Sequence, residues 1–192
     1  MFEQLANLPT AIKQYLIITG NYWAFTLTDG ALRMLVVLHF HQLGYGALAI
    51  AMLFLFYEIF GVITNLVGGW LGAHLGLNKT MNFGLALQIM ALAMLCAPSE
   101  WLTVAYVMAA QALSGIAKDL NKMSAKSAIK HLVPEGESGQ GQLYKWVAIL
   151  TGSKNALKGV GFFLGGLLLT VLGFVGALKA LIILLTIAWM IS

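Results

Sequence analysis

Long apolar stretches alternate with short polar or glycine-containing joints along this chain. A helix that crosses a lipid bilayer needs about 20 mostly apolar residues, and six runs meet that requirement. The runs cover residues 16–40, 47–71, 80–97, 101–121, 143–172 and 175–192. The pattern predicts an all-α integral membrane protein, a six-transmembrane-helix bundle within a single domain over residues 1–192.

The joints between the runs contain residues that favour turns. Gly46 lies in the first joint, Gly76 and Lys79 lie in the second, Pro98 lies in the third, and Gly173 predicts a very tight fifth turn. The fourth joint contains the sequence VPEGESGQGQ, which has the composition of a hydrated loop. We therefore expect residues 131–142 to form a cytoplasmic loop.

The placement of lysine residues predicts the orientation of the chain. Lysines precede the first run, lie in the second joint and flank the fourth joint, whereas the first and third joints contain neither lysine nor arginine. Cytoplasmic loops of membrane proteins carry an excess of these two residues. We therefore expect a multi-pass protein of the cell inner (plasma) membrane with a cytoplasmic N-terminus.

Composition agrees with membrane insertion and narrows the function classes. Hydrophobic residues make up 60% of the chain and charged residues 9%, whereas soluble domains carry about 25% charged residues. The single cysteine, Cys96, excludes an internal disulfide. The sequence contains no P-loop, metal-ligand cluster, nucleophile triad or nucleic-acid motif. We expect no enzymatic activity, no cofactor, no metal and no nucleic-acid partner.

Charged residues inside the apolar runs are the candidate chemistry. Arg33 is the only arginine and follows Asp29 by one helical turn, and Glu58 lies near the centre of the second run. Charges are costly in hydrocarbon and are functional by default, so we predict a site for an anionic small molecule. The predicted substrate-binding residues are Arg33, Gln111, Ser114, Lys118, Lys122, Lys154, Asn155 and Lys158. The predicted charge-pair or coupling residues are Asp29, Glu58 and Asp119.

Structural alternatives to a binding site remain open from the sequence. Asp29 and Arg33 have a spacing that permits a salt bridge with each other, and Lys154 and Lys158 could pair with Glu58 as a structural lock. In that interpretation the protein is a non-transporting membrane scaffold.

Two further expectations concern the orientation of side chains. Asp119 is expected to face the neighbouring helix or the cytoplasmic rim. Four aromatic residues are expected to be interfacial anchors, namely Tyr15, Tyr22, Trp101 and Tyr144.

Two segments of the chain resemble two later segments in the same order. LTDGALRML, residues 27–35, aligns with LSGIAKDL, residues 113–120, which pairs Gly30 with Gly115 and Arg33 with Lys118. GGWLGAHLGL, residues 68–77, aligns with GGLLLTVLGF, residues 165–174. Because three helices cross the membrane an odd number of times, the second triplet is inverted. The sequence therefore predicts two inverted three-helix repeats, over residues 1–97 and 101–192.

Inverted three-helix repeats within a six-helix half are typical of major facilitator transporters. The segment GWLGAHLGLNK after the second run resembles the family's loop signature G-x-L-a-D-r-x-G-r-k, with Gly69, Gly76 and Lys79 as motif-loop residues and Ala73 at the acidic position. The strings GNYWAFTLTDGALRMLVVLHFH and YKWVAILTGSKNALKGVGFFLGG resemble the ArsJ-type organoarsenical efflux permeases of arsenic operons.

The resemblance implies a secondary active transporter, here its N-terminal six-helix half, that exports 1-arseno-3-phosphoglycerate for arsenate resistance. It also implies a functional link to a glyceraldehyde-3-phosphate dehydrogenase, which forms this ester from arsenate. Transporters of the superfamily carry two six-helix halves, so we expect the chain to act with a C-terminal half or as a homodimer, in contact with membrane lipid. Transport of another organic anion or phosphate ester is an alternative.

Overall fold

Helices account for nearly all of the chain in the computed structural model, which describes residues 9–132 and 137–192. The α-helices in these ranges are α1 (Thr10–Gln42), α2 (Ala47–Leu53), α3 (Leu55–Leu75), α4 (Leu77–Leu95), α5 (Val104–Leu132) and α6 (Glu137–Ile191). A short 3-10 turn, Ser99–Trp101, precedes α5. No strand occurs in the described ranges, so the predicted all-α class is confirmed for them.

The last helix, α6, contains a reversal of the chain at Gly173. This residue has φ 69° and ψ 178°, a backbone conformation that glycine adopts without steric cost. Phe174 stacks on His39 near the end of α1, whereas Ile191 lies beside Leu16 near its start. The second arm of α6, residues 174–191, therefore runs back along α1, and the tight turn predicted at Gly173 is confirmed.

The first arm of α6, residues 137–172, packs parallel to α1. Near the start of both helices, Tyr15 stacks on Trp146 with ring centroids 4.4 Å apart. Further along, Trp23 Nε1 donates a hydrogen bond of 2.8 Å to Ser153 Oγ. A Cβ atom built on Gly30 would lie 2.9 Å from the Lys158 carbonyl oxygen. The two backbones therefore touch at this height.

Helices α3 and α5 form a second parallel pair with a similar contact. A Cβ atom built on Gly115 would overlap the carbonyl oxygen of Tyr57, and one built on Gly68 would lie 3.2 Å from the Met123 side chain. Glycine lets helices approach this closely. Gly30 and Gly115, which align in the predicted repeat, thus occupy corresponding contacts of the α1–α6 and α5–α3 pairs.

Two of the helical stretches are long and apolar enough to cross a membrane, Ala47–Trp70 and Gln140–Ile191. Only 22% and 28% of their most apolar windows are buried inside the protein. Their apolar side chains therefore point outward, as on a surface that contacts lipid or another protein. Ala47–Trp70 joins α2 to most of α3, and Gln140–Ile191 contains both arms of α6.

The connections on the described residues are shorter than the sequence predicts. Gly76, with φ 85°, is the only residue between α3 and α4, so Lys79 lies in the first turn of α4 and its predicted place in a loop is wrong. The predicted loop 131–142 is helical at both ends, since α5 extends to Leu132 and α6 begins at Glu137. Residues 133–136 lie outside the described residues.

The largest buried apolar cluster and the charged cavity share one residue, Phe25. The largest cluster of buried hydrophobic side chains joins α1, α4, α5 and the second arm of α6, and includes Leu35, Leu92, Leu120 and Leu178. The cavity described below is lined only by α1, α3, α5 and the first arm of α6.

Candidate functional site

A cavity of about 320 Å³ lies between four helices, within the volume range of small-molecule sites. Its charged lining residues are Asp29 and Arg33 from α1, Glu58 from α3, Lys118, Asp119 and Lys122 from α5, and Lys154 and Lys158 from α6. Tyr22, Phe25, Thr26, Gly61, Val62 and Asn65 complete the lining. Eight charged residues from separate parts of the sequence thus meet at one place.

Glu58 links three of these helices through its carboxylate. Arg33 Nη2 donates a hydrogen bond of 2.8 Å to Glu58 Oε1, and Lys118 Nζ lies 3.6 Å from Glu58 Oε2. The side chain of Glu58 is 60% exposed, whereas those of Arg33 and Lys118 are 21% and 24% exposed. One accessible carboxylate therefore occupies the space between two half-buried cations.

The aromatic ring of Tyr57 contacts the same two cations, Arg33 and Lys118. Its ring centroid is 4.0 Å from Arg33 Cζ and 4.2 Å from Lys118 Nζ, distances at which a cation is attracted to an aromatic face. Its hydroxyl donates a hydrogen bond of 2.7 Å to Asp29 Oδ1. The tyrosine is fully buried, so its ring is a fixed surface against which Arg33 and Lys118 are positioned.

Asp119 is a buried carboxylate between two lysines. It is 3% exposed, and its oxygens lie 3.7 Å from Lys118 Nζ and 3.4 Å from Lys122 Nζ. It faces α3, as the sequence predicts, because a Cβ atom at Gly61 would lie 2.7 Å from Asp119 Oδ2. The absent side chain at Gly61 therefore makes room for this carboxylate.

Lys154 and Lys158 differ from the other cations of the cavity. They lie one helical turn apart on the first arm of α6, and no carboxylate of the described residues lies within 4.0 Å of either ammonium group. Lys158 Nζ is 5.7 Å from the Phe162 ring. The cavity contains five basic and three acidic residues, so its formal net charge is +2. This excess corresponds to these two lysines.

Both structural pairings considered from the sequence are wrong. Arg33 pairs with Glu58 rather than with Asp29, and Asp29 accepts its hydrogen bond from Tyr57. Glu58 pairs with Arg33 and Lys118 rather than with the two lysines of α6. The cause is the close contact of α3 with α5, which brings Glu58 near Lys118.

Three predicted binding residues lie elsewhere. Gln111 and Ser114 are fully buried and do not line the cavity. Both residues lie on the same face of α5 as Lys118. Helix α3 covers that face, because Gly115 is in contact with the backbone of Tyr57. Asn155 is exposed and is also outside the cavity, because it is turned about 100° from Lys154 on the helix. The structure therefore does not bring these three residues to the cavity.

Other residues of the cavity were missed or misread from the sequence. Tyr57 is a tyrosine in an apolar run, and its position next to Glu58 is the one signal that could have found it. Tyr22 was expected at the membrane interface but is 3% exposed and lines the cavity. Tyr15 is buried against Trp146, to whose carbonyl oxygen its hydroxyl donates a bond of 3.3 Å. Phe25, Thr26 and Asn65 carried no signal in the sequence.

The motif-loop residues lie away from the cavity. Gly69 is within α3, with no atom within 4 Å of a Cβ built on it, and Gly76 ends that helix. Lys79 is exposed on α4. In residues 9–132 and 137–192 no three His, Cys, Asp or Glu side chains are arranged to hold a metal ion.

No protein-family model matches the sequence, and no curated protein is significantly similar to it. The described residues combine three features that bear on function: they are helical, two of their apolar helices face outward, and their cavity has a net positive charge.

Proposed function

We propose that this protein is a secondary membrane transporter that binds a small organic anion in the charged cavity and exports it. The observation that carries this proposal is the pair Lys154 and Lys158, which line the cavity without a carboxylate partner among the described residues. A cation held in this way in an apolar helix is costly unless a ligand neutralises it. A bound anion supplies that neutralisation.

The proposed architecture is a bundle of six membrane-spanning helices in the inner membrane, with the N-terminus in the cytoplasm. The exposed apolar surface of Ala47–Trp70 and of Gln140–Ile191 supports membrane insertion. The remaining spans would be α1, α4 and α5, whose lengths of 33, 19 and 29 residues suit a bilayer. The lysine distribution supports the orientation.

The packing of the helices supports two inverted repeats, and with them a major facilitator half. If the first repeat is α1 to α4 and the second is α5 with both arms of α6, then the contact of α1 with the first arm of α6 corresponds to the contact of α5 with α3. Gly30 and Gly115 lie at these two contacts. Ligand sites in such folds lie at the interface between repeats, and the cavity lies between these two pairs.

The proposed substrate is 1-arseno-3-phosphoglycerate, which carries an arsenate and a phosphate group. The resemblance to organoarsenical permeases supports this choice, and with it the functional link to a glyceraldehyde-3-phosphate dehydrogenase. The net charge of +2 suits a multiply anionic molecule, and the fork of Arg33 matches phosphate-like oxygens. Another organic anion or phosphate ester fits the same charges. We propose binding and transport without catalysis.

A second six-helix unit would complete the cavity. Glu58 is 60% exposed and Val62 is 62% exposed, although both lie on an apolar helix suited to the bilayer. A charge in that position has to face protein or water rather than lipid. We propose that a C-terminal half or a second copy of the chain covers this side.

A scaffold is the competing function, and the pairing of charges separates the two. A scaffold needs its buried charges to neutralise one another. The network of Arg33, Glu58, Lys118, Asp119 and Lys122, together with Asp29 of the same cavity, contains three charges of each sign. The two lysines of α6 stay outside that network. Their position favours the transporter.

Calorimetric measurement of 3-phosphoglycerate binding to the purified protein tests the proposal. We expect saturable binding that is lost or weakened at least tenfold in the Lys154→Gln/Lys158→Gln variant, since each charged hydrogen bond contributes roughly 1.5–3 kcal/mol. Lys145→Gln, on an exposed position of the same arm, is the matched control and should bind normally. Absence of binding by the wild-type protein, or equal binding by the double variant, would contradict the proposal.

A further inference from the structure

The carboxylate of Glu58 occupies a place suited to an anionic group of a ligand. It accepts a 2.8 Å hydrogen bond from Arg33 and lies 3.6 Å from Lys118, the two cations that lie over the face of Tyr57. Arginine and lysine are the side chains that bind carboxylate and phosphate groups. The cavity therefore holds two cationic centres, one filled by Glu58 and one, formed by Lys154 and Lys158, without a carboxylate.

We infer that Glu58 is a specificity-determining residue, a tethered carboxylate that competes with the ligand for Arg33 and Lys118 and so selects molecules with two anionic groups over molecules with one. The inference rests on the proposed function. It adds the rule by which the cavity distinguishes one class of anion from another.

The two cationic centres have different accessibility to a ligand. An incoming anionic group meets no protein competitor at Lys154 and Lys158, so the first group binds there. A second anionic group on the same molecule can replace Glu58 at Arg33 and Lys118. The local concentration created by the first contact favours this replacement, because the second contact is intramolecular.

The exposure of Glu58 lowers the free-energy cost of its displacement from Arg33 and Lys118. Its side chain is 60% exposed on the side where the proposed second unit would complete the cavity, so the displaced carboxylate can turn toward water inside that cavity without a buried charge being left unpaired. Asp119 cannot act in this way because it is 3% exposed and lies against α3 at Gly61. Asp29 is 6% exposed and is held by Tyr57. Glu58 is thus the one carboxylate of the described lining that a ligand can displace readily.

A molecule with a single anionic group gains little from the filled centre. It would have to displace Glu58 without a first contact to hold it, or bind only at Lys154 and Lys158. When Glu58 loses its charge, the Arg33 and Lys118 centre becomes available to any anion. The preference for two anionic groups should then fall.

Two related compounds test the inference: 3-phosphoglycerate carries a phosphate and a carboxylate, and glycerol 3-phosphate carries the phosphate alone. Affinities of both are measured by calorimetry for the wild-type protein, Glu58→Gln and the control Glu100→Gln, whose carboxylate is exposed in the turn before α5. We expect Glu58→Gln to bind glycerol 3-phosphate about tenfold more tightly than wild type, the scale of one freed charged contact. Glu100→Gln should match wild type.

Lys118→Gln provides a second test that does not depend on the folding of the Glu58 variant. It weakens the centre that Glu58 fills and leaves the two lysines of α6 in place. We expect it to weaken binding of 3-phosphoglycerate about tenfold and to leave glycerol 3-phosphate within twofold of wild type.

Unchanged affinity for glycerol 3-phosphate in Glu58→Gln, or equal loss of both compounds in Lys118→Gln, would overturn the inference. The Lys154→Gln/Lys158→Gln variant is measured with both compounds alongside; if it loses both, the proposed anion site survives and only the role of Glu58 fails. If neither compound binds to the wild-type protein, the proposed function fails and the inference with it.

Discussion

Replacing Gly115 with alanine is a sharp test of how the cavity is built. The added methyl group would overlap the Tyr57 carbonyl oxygen and would lie 2.9 Å and 3.0 Å from the Tyr57 carbonyl carbon and Cα. These are backbone atoms, so no side-chain rotation can relieve the overlap. Helices α3 and α5 have to move apart instead, and the ring of Tyr57 moves away from Lys118.

Two opposing effects set the size of the loss. Overpacking of a helix contact costs typically 1–3 kcal/mol, and alanine recovers about 1 kcal/mol over glycine in a helix interior. We expect a net loss of up to about 2 kcal/mol. At roughly 2–4 °C per kcal/mol for a chain of this length, the melting temperature should fall by several degrees. Binding of 3-phosphoglycerate should weaken as well, because Lys118 loses its support.

The assay is thermal unfolding of purified protein in detergent, with Gly69→Ala as the matched control. Gly69 also lies in a helix, but no atom lies within 4 Å of a Cβ built there, so the control should melt at or slightly above the wild-type temperature. If Gly115→Ala melts like Gly69→Ala, the close contact of α3 with α5 is not present and the reasoning is refuted.

Three further substitutions carry independent expectations. Arg33→Lys should weaken binding of 3-phosphoglycerate with normal expression, because lysine lacks the planar fork; unchanged affinity would remove Arg33 from the site. Tyr57→Phe should destabilise the protein by roughly 1–3 kcal/mol in thermal unfolding, since the buried carboxylate of Asp29 loses its hydrogen bond; an unchanged midpoint would show that the bond contributes nothing. Gln42→Cys, in a background without the native cysteine, should react with an impermeant thiol reagent only from outside the cell; labelling from the cytoplasm alone would reverse the proposed orientation.

The helices and the turn residues between them could be predicted from the sequence, because they depend on residues that are close together in the chain. The apolar runs predict helices, and the helices of the structure cover most of each run. Gly173 predicts a reversal because only it and Phe174 separate two apolar runs, and its positive φ agrees. Gly76 ends α3 as a turn residue should, yet the joint is a single residue. Asn78 and Lys79, which the sequence predicts in or near that joint, already belong to the first turn of α4.

Contacts between helices were not accessible in the same way. The i to i+4 spacing of Asp29 and Arg33 permits a salt bridge, but Tyr57 and Glu58 from α3 take both partners. Helical periodicity placed Gln111 and Ser114 on the side of Lys118, and the backbone of α3 covers that side. Which face of a helix remains accessible depends on which other helix packs against it. The sequence of one helix does not identify that packing partner.

Transport of a labelled anion by reconstituted protein tests the central claim most directly. Liposomes are prepared with the wild-type protein or with the Lys154→Gln/Lys158→Gln variant, as a dimer or together with a second six-helix half, and counterflow of radiolabelled 3-phosphoglycerate is measured. The account predicts saturable uptake by the wild-type assembly that the double variant abolishes, and no uptake by a monomer. Uptake that never exceeds that of empty liposomes, or that is the same in the double variant, would contradict it.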